Sequence, residues 1–348
     1  MNLTIIIFSC LLFCFTLLPL VRNEYWIFRI FDYPRLQKLV LNCAAFVLML
    51  LMYTGPALTL YIFLLLLALN IAYLLSLILP FTRLAKKQVL RAGPHNGNMG
   101  LSIMIANVFQ DNTNSAGCLK EIARANPDVV LLLETNERWD IQTRSLESTY
   151  PHFKRVPLEN TYGLLLYSKL ELTDTTVKYL VEKDIPSIHT KIKLRGGQLV
   201  QFYAVHPTPP IPAENIRSTE RDKELLLIAD LAKASELPVI VAGDLNDVAW
   251  SHTTELFLKM SGLLDPRRGR GFFNSFHAHY FFIRFPLDHA FVSRHFKLIK
   301  IKRLNNCKSD HFPIFLNVQL EDEAYNEQQP LHADSSDVEE AAEKKEKI

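Results

Sequence analysis

Hydrophobic and polar positions divide the chain into stretches of different character. Leu3 to Val21 runs for 19 residues without a charge, and 44 further uncharged residues separate Lys38 from Arg83. A helix crossing the ~30 Å hydrocarbon layer needs about 20 residues, so the second run is long enough for two passes. Tyr53-Thr54-Gly55-Pro56 supplies the turn between them. The pattern predicts membrane-spanning helices near 3–21, 38–54 and 57–80. No Lys or Arg precedes the first, and no small-residue cleavage site follows it, which favours a span over a cleaved signal. Beyond residue 100 the pattern changes to short, β-branched apolar runs of strand length: Ile103–Phe109, Val129–Glu134, Gly163–Tyr167, Thr190–Leu194, Val200–His206, Val239–Ala242, Ala290–Val292 and Ile314–Val318. Helical spacing interrupts them at Ala116–Ala125, Thr219–Ala234 and Thr253–Met260. This mixed order predicts an α/β (α+β) domain with its sheets buried between helices.

Composition sharpens the boundaries. The reading is a three-helix transmembrane region over 1–91, a Gly/Asn-rich linker over 92–100, a globular domain over 101–320, and a polar tail over 321–348 expected to be disordered. Residues 1–95 carry 8 Lys/Arg against 2 Asp/Glu, and the tail carries 3 against 10. Of the 38 and 36 in the whole chain, 27 and 24 remain for the middle, a net of +3. That balance excludes nucleic-acid binding by bulk charge and leaves only local patches. Five cysteines in 348 residues make no disulfide framework.

The cations also predict topology. Arg22, Arg29, Arg35 and Lys38 lie between the first two spans, and Arg83, Lys86, Lys87 and Arg91 follow the third. Three spans put both clusters on one side, and the positive-inside rule makes that side cytoplasmic. The expectation is a multi-pass protein of the inner or plasma membrane whose domain faces the cytoplasm.

Several predicted strands end in polar residues. Ile103-Met104-Ile105-Ala106 runs into Asn107, Val130-Leu131-Leu132-Leu133 into Glu134, and Phe202-Tyr203-Ala204-Val205 into His206. Val239-Ile240-Val241-Ala242 runs into Gly243-Asp244-Leu245-Asn246, while Asp288-His289 opens one strand and Ser309-Asp310-His311-Phe312-Pro313 precedes the last. A carboxylate after four apolar residues is costly to bury unless it meets a metal or partner. Asn, Glu, His and Asp together have the composition of an oxygen-rich Mg²⁺ or Mn²⁺ site with a histidine for proton transfer. No Cys or His pair has zinc-ligand spacing.

Gly243-Asp244-Leu245-Asn246 and Ser309-Asp310-His311-Phe312-Pro313 resemble two signature motifs of the endonuclease/exonuclease/phosphatase family. That family includes DNase I, apurinic endonucleases, neutral sphingomyelinases and inositol polyphosphate 5-phosphatases. The likeness covers about residues 100–320 and is greatest to bacterial membrane-tethered members. It implies a four-layer α/β sandwich of the DNase I-like type with the site at the sheet edges. It further implies that Glu134 ligates the divalent metal, with Asn107 and Asp310 close to it. Asp244 would orient or deprotonate the attacking water, and Asn246 would hold the scissile phosphate. His311, oriented by Asp288, would stabilise the phosphorane, and His206 would donate to a phosphate oxygen.

The expected function is a membrane-anchored, Mg²⁺- or Mn²⁺-dependent phosphodiesterase, most simply nuclease-like. The rival readings are a phospholipid or inositol-phosphate phosphodiesterase or phosphatase, and a catalytically silent membrane scaffold. The expected partners are the lipid bilayer and a phosphate-ester substrate, with no obligate protein partner. Arg267, Arg268 and Arg270, followed by Phe272, Phe273, Phe276 and Tyr280, read either as a substrate-facing loop or as a solvated basic turn beside a buried aromatic cluster. Trp250-Ser251 reads as a core aromatic and a helix cap; His252, His277, His279 and His289 read as loop or surface histidines.

Overall fold

The computed structural model describes residues 2–347. Three helices long and apolar enough to cross a membrane open the chain, at Asn2–Val21, Arg35–Met52 and Ala57–Phe81. Their helical cores are α1 (Asn2–Leu17), α3 (Arg35–Met52) and α4 (Ala57–Ile78), with a single-turn helix α2 (Trp26–Arg29) between the first two. Ile5, Leu12, Ala45, Met49 and Leu67 pack where the three meet, while Leu51, Leu58, Leu65 and Leu69 stay exposed, as a lipid-facing surface would. Asn70 donates to the Asn42 amide oxygen at 2.8 Å and ties α4 to α3 inside this apolar bundle.

The globular part continues with β1 (Gly100–Asn107), α5 (Ser115–Ala125), β2 (Val129–Leu133), α6 (Glu137–Thr143), β3 (His152–Val156), β4 (Leu164–Ser168), β5 (Leu172–Lys178), β6 (Ser187–Lys193), β7 (Leu199–Val205), α7 (Thr219–Ala234), β8 (Val239–Asp244), α8 (His252–Ser261), β9 (Asp288–Val292), β10 (Phe296–Arg303) and β11 (Ile314–Leu320). The helices α9 (Ala324–Glu327) and α10 (Ser335–Glu346) follow. Six strands form one sheet in the order β10-β11-β1-β2-β4-β3, and five form the other, β5-β6-β7-β8-β9.

Period-two alternation builds the layers. Leu101, Ile103 and Ile105 of β1 face Phe202, Ala204, Ile240 and Ala242 of the second sheet in one shared core. The intervening Met104, Ala106, Val130 and Leu132 pack outward against Ile122 of α5 and Trp139 of α6. Tyr203, Val205, Val239 and Val241 meet Leu225, Ile228 and Phe257 on α7 and α8. The result is the helix–sheet–sheet–helix sandwich of DNase I-like folds.

Three strands escaped the sequence reading: β3, β5 and β10. Each lies at a sheet edge and mixes apolar residues with Lys, Arg, Asp or Thr, so none presents the dense apolar run of a central strand. The tail also differs from expectation. Instead of a disordered segment, residues 335–346 form a helix with an Asp334/Asp337 capping box, and Ala341 is buried against the α7–α8 layer. Its acids are met by partners distant in sequence: Asp337 by Lys259 at 3.0 Å, and Glu340 by His252 at 2.8 Å. Local composition carries no trace of those partners.

Residues 92–100 do not swing free. Ala92 donates to the Leu298 carbonyl at 2.9 Å, Asn96 to Gln319 at 2.7 Å, and Val89 just upstream lies in the inter-sheet core. The apolar helices are likewise seated on the domain. Phe81, at the end of the third apolar helix, and Tyr33, between the first two, share a cluster with Val248, Trp250, Phe285 and Leu287. The Trp250 indole N–H donates to the Asp32 carbonyl at 2.9 Å, and Gly269 donates to the Pro80 carbonyl at 2.8 Å.

Candidate active site

The polar strand ends converge because of how the strands run. Each sheet contains one parallel pair, β1–β2 and β7–β8, whose carboxyl ends reach the same edge. Asn107 and Glu134 therefore leave the first sheet side by side, and His206 and Asp244 leave the second. β9 runs antiparallel to β8, which makes its first residue, Asp288, the register partner of Asp244. β11 runs antiparallel to β1, so the Ser309–Pro313 segment before it returns to the end of β1. At Gly243 an added Cβ would stand 1.8 Å from the Val205 carbonyl oxygen, so only glycine lets the chain pass this close to β7 before presenting Asp244.

The side chains then interlock. Asn107 donates its amide to Glu134 Oε1 at 2.7 Å and to Asp244 Oδ2 at 3.1 Å, bridging the two sheets. His311 Nδ1 lies 2.7 Å from Asp288 Oδ2, and its Nε2 lies 3.5 Å from Asp244 Oδ2. Ser309 fixes this arrangement: its hydroxyl donates to the Asn107 carbonyl at 2.8 Å and accepts the His311 backbone N–H at 2.9 Å. Ser275 Oγ accepts the backbone N–H groups of Leu287 and Asp288 at 3.2 and 3.0 Å, which sets the start of β9.

Burial and charge act against each other here. Burial alone would push the His311 imidazolium down, but the Asp288 and Asp244 carboxylates overcome it and raise the group to about 10. His311 is therefore cationic at neutral pH. Burial pushes Glu134 up to about 7, with Asn107 and His311 opposing and Asp310 and Asp244 reinforcing. His206 is fully buried near Asp244 and His311, and burial pushes it down to about 4, so it is neutral. Among the described residues its Nδ1 has no partner.

Asn246 is placed differently from the role the resemblance implies. Its side-chain amide donates to the Pro207 carbonyl at 2.9 Å and so holds the loop after His206. Its backbone adopts a left-handed φ of +50°, and its carbonyl accepts two donors, Arg221 Nη1 at 2.7 Å and Tyr33 Oη at 2.8 Å. Tyr33 and Ser275 escaped the sequence reading because their partners are far away in the chain. Ser309 stood inside a recognised motif, and its place in Ser-Asp-His was the available signal. Asp310 lies beside this group, its backbone carbonyl accepting the Ala278 N–H at 2.6 Å.

The arginine-rich loop does not reach the site. Arg267 is buried against Asp265 at 2.8 Å and lies 2.6 Å from His289 Nδ1, while Arg270 donates to the Val89 carbonyl. His289 is a buried strand residue, not a surface one; its Nε2 meets the Asp247 carbonyl at 2.8 Å. Of the aromatics, Phe272 and Phe276 join the Tyr33–Trp250 cluster, and the Phe276 ring stands 5.0 Å from that of His311. Ser251 caps α8 by accepting the Thr254 N–H, beside the buried Trp250.

Two groupings of side chains are candidates for a metal ion. Asp244, Asp288 and His311 offer atoms within 4.8 Å of one another. There, however, both imidazole nitrogens face carboxylates and the ring is protonated, so it has no lone pair to give. The Glu134 side fits better. Its carboxylate is held by Asn107 and lies near Asp310 and Asp244, with His311 the cation that opposes them. This surplus of hard oxygen donors suits Mg²⁺ or Mn²⁺.

Residues 104–311 match the Endonuclease/Exonuclease/phosphatase family. No curated protein matches the sequence at a significant level. Solved structures share the fold. Danio rerio TDP2 complexed with a single-strand DNA product is 17% identical, with a TM-score of 0.53 over 63% of this chain and 99% of that one. The human Nocturnin catalytic domain with bound sulfate is 15% identical, with a TM-score of 0.52 over 68% and 98%. An endonuclease/exonuclease/phosphatase from Beutenbergia cavernae is 16% identical, with a TM-score of 0.51 over 64% and 72%.

Proposed function

Because the chain belongs to the endonuclease/exonuclease/phosphatase family, we propose that it is a divalent-metal-dependent phosphodiesterase working at the face of the membrane that holds it. One observation carries the reading. Glu134, Asp244, Asp288 and Asp310 gather at one sheet edge with a single cationic histidine, an excess of negative charge that a folded chain keeps at a cost unless a cation joins it.

The residues divide the work by position. Asp244, whose Oδ2 faces Asn107 and the His311 ring, accepts a proton from the attacking water. His311, held cationic by Asp288, presents Nε2 to the negative charge that develops on the phosphorane. Neutral His206 offers a buried ring to a phosphate oxygen. Asn107 aligns Glu134 with Asp244. Glu134, with Asp310, would hold the metal, which when bound neutralises charge on the phosphate oxygens.

The same reading has three spans and a cytoplasmic domain. Residues 24–33 contact α7, Asn246 and Trp250, so the loop after the first span and the domain after the third share one side. An odd number of spans satisfies this, and the flanking cations favour the cytoplasm.

The test uses the full chain in detergent with Mg²⁺, offered bis(p-nitrophenyl) phosphate, DNA, RNA, sphingomyelin and phosphoinositides. Hydrolysis that disappears on chelation and returns with Mg²⁺ or Mn²⁺ supports the reading. Hydrolysis unaffected by chelation, or absent with every ester, overturns it. Nucleic acid and lipid are the two substrate classes the panel separates.

A further inference from the structure

The loop between Ser275 and Phe285 leaves the active site and ends in an apolar tip. Its stem is tied to the site: the Phe276 ring lies 5.0 Å from that of His311, tilted to it, Ala278 donates to the Asp310 carbonyl, and Ser275 donates to the Phe285 carbonyl at 3.0 Å. Its tip is Tyr280-Phe281-Phe282-Ile283, and those side chains are 60%, 71%, 80% and 46% exposed. Four consecutive large apolar residues in water are uncommon on a globular surface, and among the described residues nothing covers them.

The tip's neighbour indicates what does cover them. Gln37 Nε2 donates to the Phe282 carbonyl at 2.7 Å, and Gln37 is the third residue of α3, a helix long and apolar enough to span a membrane. At 1.5 Å per residue the 18 residues of α3 extend about 27 Å, close to the ~30 Å hydrocarbon layer, so its first turn stands at the headgroup boundary. The tip therefore continues the exposed apolar surface of the spans. Aromatic side chains with polar backbone or hydroxyl groups suit that depth.

We propose that residues 280–283 form a wedge seated in the bilayer that holds α1, α3 and α4, and that the phosphate ester reaching Asp244 and His311 is a lipid headgroup of that bilayer. The second half rests on the phosphodiesterase reading; the first does not. The wedge fixes the site at headgroup level, so a lipid phosphate reaches it by lateral motion within the leaflet.

Two measurements on the full chain in phosphatidylcholine–phosphatidylglycerol vesicles test this. For the surface, Phe282→Trp adds an indole whose emission, taken as the difference from the parent, should be quenched about twofold by lipids brominated near the headgroup end of the chain and little by aqueous iodide. Quenching by iodide and not by bromine overturns the wedge, whether or not the protein hydrolyses anything. For the substrate, Phe281→Ser with Phe282→Ser should lower hydrolysis of vesicle phosphatidylglycerol about tenfold while bis(p-nitrophenyl) phosphate turnover stays within about twofold. Equal loss on both esters overturns the lipid assignment, as does a parent that cleaves DNA but no vesicle lipid. A parent inactive on every ester defeats the phosphodiesterase reading and leaves the quenching result standing alone.

Discussion

Asp244 and Asp247 stand three residues apart and belong to two buried ionic clusters of opposite character. Around Asp247, Arg221 lies 3.5 Å from its carboxylate and 3.0 Å from that of Asp222, and Lys344 of the tail helix reaches Asp222 at 2.7 Å. Two cations face two carboxylates, and Ser218, Ser251 and Thr253 supply further hydrogen bonds. Burial pushes Asp247 upward even beside Arg221, but Lys344 and Arg221 overcome burial at Asp222 and hold it well below the usual carboxylate range. Around Asp244 the carboxylates outnumber the cationic histidine, and burial, with Asp310 and Asp244 adding to it, pushes Glu134 up to about 7. Buried charge alone therefore does not mark a functional site in this molecule. On the proposed function imbalance does: the balanced cluster holds parts of the chain together, and the unbalanced one would be completed by a cation from outside.

The largest effects should come from the unbalanced side. His311→Ala should slow single-turnover hydrolysis about 10²–10³-fold with metal affinity nearly unchanged, the cost of losing one preorganised donor. Asp288→Asn should act through the same ring, so the double variant should lose less than the two losses multiplied. Fully multiplicative losses would separate the pair and weaken the contrast with the balanced cluster.

Next comes the charge of Glu134. Its folded-state value, about 7, lies above the model-compound value of 4.5, so its contribution to stability is complete below 4.5 and is lost as the pH rises through 7. The chelated protein should therefore lose melting temperature over that interval, and Mg²⁺ should restore more of it at pH 8 than at pH 5.5. Glu134→Gln should flatten this pH dependence and weaken Mg²⁺ binding at least about tenfold. Calorimetry across pH with and without metal reads both effects. A metal effect independent of pH would remove Glu134 from the ligand set.

The balanced cluster should respond in stability instead. Lys344→Met leaves Asp222 with one cation fewer and should cost about 2–4 kcal/mol, measured by denaturant unfolding in detergent, while turnover at saturating Mg²⁺ holds. A large loss of turnover with unchanged stability would mean that the two clusters are not separate.

The smallest effect lies where they meet. The Asn246 carbonyl accepts both Arg221 and Tyr33, so the balanced cluster and the segment between the first two apolar helices together set the loop after Asp244. Tyr33→Phe removes one of two donors and should lower kcat about threefold to fivefold with KM unchanged. If KM rises instead, Tyr33 borders the substrate and does not position the loop.

The amino-acid sequence by itself determined the repeating local choices. Period-two alternation specified the central strands, uncharged length specified three helices fit to span a bilayer, and polar residues bordering apolar runs singled out Asn107, Glu134, His206 and Asp244 at strand ends and Asp288 and His311 before strands. Those signals are local because they come from backbone periodicity and from the cost of burying a polar group next to an apolar run. Tertiary structure decided what depends on partners distant in the chain. It ordered the acidic tail, because Asp337 and Glu340 meet Lys259 and His252. It turned the arginine loop inward, because Arg267 meets Asp265 and His289. It set Asn246 to hold the Pro207 loop and brought Tyr33 to its carbonyl across 213 residues. A charge's role depends on whether a counter-charge lies within a few ångströms, and no window of sequence reports that distance.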